Sequence, residues 1–180
     1  MTLKSVQFTY RDYLCLDDDK RHEVLEGDLM MVPAPSWRHQ DVLTKLFRAL
    51  DRFVETQALG VVRFAPIDVM LSEENVVQPD LFFIAKDRTS IIQDRGVFGP
   101  PDLVIEIISP AKPDRDQIAK RRIYGKYGIK EYWIVDPDKR TVEVLTLTDS
   151  GLETYRVFPS PSKIISPIWP SLSLDTQDVL

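Results

Sequence analysis

Two segments of this chain, VVQPDLFFIA at 76–85 and PDLVIEIIS at 101–109, are almost unbroken runs of apolar residues. Runs of this length and branched character read as strands, and a strand that is apolar on both faces has to be covered on both. An alternating strand can leave one face to water; these two cannot. The chain is therefore expected to be α/β, a mixed β-sheet flanked by helices, preceded by an N-terminal helix and hairpin. One charge interrupts the second run. Glu106 stands in VIEII among aliphatic neighbours, where burial disfavours the ionised form. It needs a metal ion, a lysine or a proton.

The bulk properties narrow the classes. A chain of 180 residues, 43% hydrophobic, suits one domain over 1–180 with a substantial core. A formal net charge of -5 excludes whole-molecule attraction to nucleic acid, so a polyanion needs a local basic patch. Such a patch exists in sequence: Lys112 to Lys130 carries seven basic residues against two acids. The single cysteine, Cys15, reads as a small core residue in a helical setting. It precludes an intrachain disulfide and fits a reducing, cytoplasmic location. The first residues carry no signal-peptide run, and no stretch reaches the length of a membrane span. His22 and His39 are the only histidines, too few for a histidine-rich zinc site.

Along the chain, Thr9 is placed to cap a helix over Tyr10 to Leu16, and HEVLEGDLMMV reads as a hairpin turning at Glu26-Gly27-Asp28. Ser36 can cap a long helix bearing Leu43, Leu46, Phe47, Leu50, Phe53 and Val54 at helical spacing, ended by Gly60. VVRFAPIDVML is the strand before the two apolar runs, and Lys86 to Pro101 is a long connection. Asp114 opens a helix to about Tyr127, stopped by Gly128. EYWIV, TVEVLTL and LETYRVF follow as strands, and the Pro- and Ser-rich tail with Ile164, Ile165, Ile168 and Trp169 is expected to pack loosely outside, at a subunit contact.

A turn centred near Glu74 makes residues 68 and 80 equidistant from it, so an antiparallel pair sets Asp68 opposite Asp80, with side chains about 5 Å apart. Carboxylates gathered this way suit Mg²⁺, with Mn²⁺ as a substitute. Lys120 lies in the apolar stripe of the helix at 114–127, with Ala119, Ile123, Tyr124 and Tyr127, and so faces the sheet; it can also pair with Asp116, four residues earlier. Each residue has a plainer reading. Pro79-Asp80 alone is an ordinary strand starter, and Asp68 can be a polar rim residue. Glu106 and Lys120 can form a structural ion pair, His39 can be a capping or surface histidine, and Glu23 can pair with Arg21.

Taken together the motifs resemble a known family. Pro79-Asp80 on one strand, Glu106 on the next and a nearby lysine resemble the PD-(D/E)XK nuclease superfamily. More closely, HEVLEGDLMMVPAPSWRHQ, PIDVMLSEENVVQPDLFFI, GPPDLVIEIISP, DRDQIAKRRIYGKYGIKEYWIVDP and RTVEVLTL resemble the Uma-two family of restriction-endonuclease-like proteins. The resemblance implies a restriction-endonuclease-like fold and a metal-dependent endonuclease acting on nucleic acid, DNA in the first instance. Asp80 and Glu106 correspond to the motif acids and bind the metal, with Asp68 as a third ligand. The motif lysine departs: Ile108 stands two residues after the acid, so Lys120 has to supply the charge. Pairing to cut two strands implies a homodimer. His39 and Glu23 match polar positions of the pattern. The competing reading is a non-catalytic binding or assembly protein that keeps the fold.

Overall fold

The apolar run at 101–109 and the second half of the other, Leu81–Ala85, lie side by side inside a sheet that is covered on each face. The computed structural model describes residues 7–18, 20–109 and 114–180, with the side chains of 114–116 outside the description. In chain order the elements are α1 (Tyr10–Tyr13), β1 (His22–Leu25), β2 (Asp28–Met31), α2 (Trp37–Thr56), β3 (Gly60–Phe64), β4 (Val69–Ser72), β5 (Asn75–Val77) and β6 (Leu81–Ala85). A 3-10 segment (Lys86–Ile91), β7 (Ile92–Gln93), β8 (Gly96–Phe98), β9 (Leu103–Ile107), α3 (Asp114–Lys126) and β10 (Glu131–Asp136) come next. The chain closes with β11 (Thr141–Thr148), β12 (Gly151–Pro159), β13 (Lys163–Ile164), β14 (Leu174–Asp175) and α4 (Thr176–Val179).

The main sheet has the order β12-β11-β10-β9-β6-β3 and a second one the order β2-β1-β5-β4-β8-β7. Both are mixed, because β9 and β10 run parallel, as do β4 and β8. Alternation along β9 sorts the core into two layers. Leu103, Ile105 and Ile107 pack with Val42, Leu43, Leu46 and Leu50 of α2. Val104 packs the other way, with Phe82, Ile123, Tyr124 and Tyr132, towards α3 and the second sheet. Glu106 shares the parity of Val104 and therefore points into the space between the two sheets. Among the described residues no helix is long and apolar enough to cross a membrane.

Several expectations are corrected. The segment 61–71 is two strands, broken at Pro66, which has no N–H for the ladder. The run 76–85 is likewise split at Pro79 into β5 and β6, which belong to different sheets. The pairing of β4 with β5 sets Val69 against Val77 and Met70 against Val76. That register places position 68 opposite position 78, not 80. The connection at 86–101 holds β7 and β8, which extend the second sheet. The first helix stops at Tyr13, and Cys15 is exposed rather than in the core. α2 ends at Thr56, with Ala58 in the left-handed region, and Gly60 begins β3, where a Cβ would lie 2.1 Å from the Ile84 carbonyl oxygen.

The tail is core. Ile164, Trp169, Leu172, Leu174 and Val179 are buried with the α2 layer, and Trp169 meets Phe83 edge-on at 4.8 Å between ring centres. Glu131 of β10 fastens it, accepting from the Ser166 hydroxyl (2.8 Å) and the Ile168 amide (3.0 Å). The predicted turn at Glu26-Gly27 forms, and a second turn at Asp136-Pro137-Asp138 joins β10 to β11. The first carries positive φ at both residues, as a two-residue hairpin loop requires. In the second, Asp136 Oδ1 accepts from the amides of Asp138 and Lys139.

Candidate functional site

The site is built where the central strands end. β6 and β9 pair antiparallel, with Leu81 against Ile105 and Phe82 against Val104. Continued by one residue, that register sets Asp80 opposite Glu106. Asp80 is fixed from several sides. Its Oδ2 accepts from the Ile107 amide (2.8 Å), its carbonyl accepts from the Ala65 amide (3.1 Å), and His39 Nε2 lies 3.1 Å from Oδ2. A carboxylate oxygen only accepts, so Nε2 carries the proton. His39 Nδ1 is then a buried nitrogen with no hydrogen-bond partner among the described residues. His39 is brought there by the first turn of α2, whose capping Ser36 Oγ accepts from the His39 amide.

Glu106 faces α3. Lys120 Nζ donates to Glu106 Oε1 and to Glu23 Oε1, 2.9 Å each, and the Tyr124 hydroxyl donates to Glu106 Oε1 at 2.7 Å. The lysine is 2% exposed, so this is an interior ion cluster rather than a snorkelling surface pair. Lys120, Ile123 and Tyr124 form the buried stripe of α3, while Ile118 is 67% exposed. Burial first, and then the negative charges of Glu106 and Glu23, push the Tyr124 phenol well above its usual value, so it remains a donor. The expected pairing of Lys120 with Asp116 and the capping by Asp114 fall outside the described side chains.

Glu23 and Gln78 extend the network. The Gln78 amide donates to Glu23 Oε1 (2.8 Å). Its side chain donates to Asp68 Oδ1 (2.8 Å) and accepts from Arg21 Nε (2.9 Å). Arg21 thus meets Gln78, and Glu23 Oε1 is held by Lys120 and the Gln78 amide. Asp68 Oδ1 also accepts from the Tyr13 hydroxyl (2.8 Å). Burial and this bond to Asp68 raise the Tyr13 pKa. The structure thus joins Glu106 and Lys120 directly, sets Asp80 beside the Ile107 amide, and leaves Asp68 in the Tyr13–Gln78 arm. His39 and Glu23 are the partners that the residue-by-residue reading undervalued. No local pattern marks either, because their partners are distant in the chain.

Two carboxylates on opposed strand ends, backed by an ammonium group, are a hard-oxygen donor set of the kind that binds Mg²⁺ through one or two carboxylates, with water and phosphate completing the shell. The residues fit that group as a two-carboxylate site. A three-ligand protein cage is not present: among the described residues no three His, Cys, Asp or Glu side chains come together to hold a metal ion. The basic surface of α3 is partly committed to the fold. Arg121 Nε donates to the Leu152 carbonyl (3.0 Å) and Arg122 pairs with Glu26. Lys112 and Arg115 lie outside the described side chains.

Comparison with known proteins bears on this arrangement. Residues 10–177 match the Uma2 family, described as "Putative restriction endonuclease". No curated protein matches significantly. A crystal structure from Anabaena variabilis ATCC 29413, described as "a putative nuclease belonging to DUF820", superposes with a TM-score of 0.81 at 22% identity. The superposition covers 96% of this chain and 97% of that one. At that identity the likeness concerns the fold, which is restriction-endonuclease-like.

Proposed function

The chain belongs to the Uma2 family, and on that premise we propose that it is a metal-dependent endonuclease hydrolysing phosphodiester bonds in DNA. The observation that carries the reading is the opposition of Asp80 and Glu106 on neighbouring central strands, with Lys120 Nζ 2.9 Å from Glu106 Oε1. Asp80 and Glu106 are the residues that would hold Mg²⁺, with Mn²⁺ able to replace it. Bound there, it would supply polarisation of the scissile phosphate and a lowered pKa for a water molecule.

The remaining roles belong to the chain. Lys120 presents a fixed positive charge towards the phosphate oxygens as negative charge accumulates there. Glu23 shares that ammonium and keeps it in place. Tyr124, held protonated, sets the rotamer of Glu106. His39 orients Asp80 through Oδ2. Asp68 acts through Gln78 and Tyr13, anchoring the arm that carries the Glu23 contact. Two copies of the chain, paired as a homodimer, cut the two strands of a duplex.

One feature favours a second reading, a non-catalytic protein that keeps the nuclease fold. Lys120 is buried between two carboxylates, and Ile108 occupies the ordinary place of the motif lysine. Plasmid relaxation in Mg²⁺ separates the two. The nuclease reading expects cleavage by the wild type and a loss of at least about 10²-fold in Asp80→Ala, the scale seen when one transition-state contact is removed. Equal cleavage by both proteins identifies a contaminant and overturns the reading.

A further inference from the structure

We propose that the cleft between the two sheets holds a subsite for an unpaired nucleobase bearing an exocyclic amino group. The inference rests on the nuclease reading and names its substrate class more closely. A cavity of about 430 Å³ opens between β3–β6 of the main sheet and β4–β8 of the second. That volume lies in the range of small-molecule sites, which combine apolar walls with a few placed polar groups. Phe82, Ile84 and Val97 provide such walls here. They present flat and branched surfaces suited to a planar heterocycle.

The polar groups are specific. Asp68 and Gln78 both line the cavity. Asp68 Oδ1 is taken by Tyr13 and Gln78. Oδ2 accepts no hydrogen bond from any described residue. An anionic acceptor among apolar walls selects a ligand that brings N–H donors. The amino groups of cytosine, adenine and guanine do so, whereas thymine offers only its ring N3–H, flanked by two carbonyl oxygens that repel a carboxylate; pairing of a carboxylate with the cytosine amino group is an established readout. Arg63 and Arg95 stand exposed at the rim, beside Asp94, where a guanidinium can meet the phosphate of the same nucleotide. Gln78 joins the cavity to the cutting site, because its amide holds Glu23, which in turn holds Lys120. A base seated here belongs to a nucleotide close to the cut and has left its pairing partner to enter the cavity. The substrate is therefore DNA in which at least one base beside the cut is turned out of its pair.

The test is calorimetric titration of the full chain, in EDTA, with dCMP, dAMP, dGMP and dTMP. The expected result is that at least one amino-bearing nucleotide binds about tenfold or more tightly than dTMP, because a site built around an acceptor disfavours the analogue whose only donor is flanked by two carbonyl oxygens. Asp68→Asn should erase that preference. Ile92→Trp, which fills the mouth from an exposed rim position without touching the polar network, should abolish binding. Equal binding of all four nucleotides, or binding indifferent to both variants, overturns the subsite. If no nucleotide binds while Asp80-dependent plasmid cleavage persists, the subsite fails and the nuclease reading stands. If amino-selective binding is found without any cleavage, the base site stands and the nuclease reading fails.

Discussion

At the residue scale, the decisive group is Lys120. An ammonium that is 2% exposed survives only because two carboxylates face it at 2.9 Å. Lys120→Met keeps the length of the side chain but withdraws the charge. It is expected to lower the unfolding free energy by about 3–5 kcal/mol, measured by urea denaturation, besides removing cleavage. A variant as stable as the wild type would mean that the cluster is not an interior ion pair. Glu106 and Lys120 were legible in the sequence because each breaks an apolar pattern, one in a strand and one in a helical stripe. Glu23 and His39 were not. Their partners lie 97 and 41 residues away in the chain, and no local pattern distinguishes a buried glutamate in a short strand from one at a rim. Asp68 shows the opposite failure. Symmetry about Glu74 suggested a partner two residues beyond the real one, since a bulge between Met70 and Ser72 shifts the register.

At the scale of elements, the two apolar strands were readable from composition, and the helices from caps and stripes. The division of the strands between two sheets was not, because it depends on which distant edge each half meets. The tail was misjudged for a related reason. Its Pro- and Ser-rich stretches read as loose, while its anchor is a buried carboxylate on β10. Asp102 ties elements together in the same way at the entrance to β9. It accepts from the Ala85 amide at 2.9 Å and pairs with Arg88 (2.9 Å) and Lys130 (2.8 Å). Burial alone would raise its pKa, but the Lys130 contact, the Ala85 amide and Arg88 outweigh it and hold the carboxyl below its usual 3.8. A depressed folded value gives stability that is present above the unfolded value and lost as pH falls through the folded one. Asp102→Asn is therefore expected to cost about 1–3 kcal/mol at neutral pH, with the gap from the wild type closing below pH 3.8. A gap that stays constant down to pH 2 would contradict this account.

At the scale of the molecule, the ion cluster is buried, the cavity opens beside it at Asp68 and Gln78, and β12 forms the outer edge of the main sheet with Tyr155 and Val157 exposed. A net charge of -5 leaves approach to DNA dependent on local basic groups rather than on the global field. The homodimer proposed for double-strand cutting predicts a light-scattering mass of twice the 20.7 kDa chain; a single-chain mass at working concentration would remove it. The claim on which the rest depends is that Asp80 and Glu106 share one cation. A crystal soaked in Mn²⁺ and measured at the manganese absorption edge tests it most directly. The account predicts an anomalous peak in contact with both carboxylates; a peak at any other cluster, or none at saturating Mn²⁺, would contradict it.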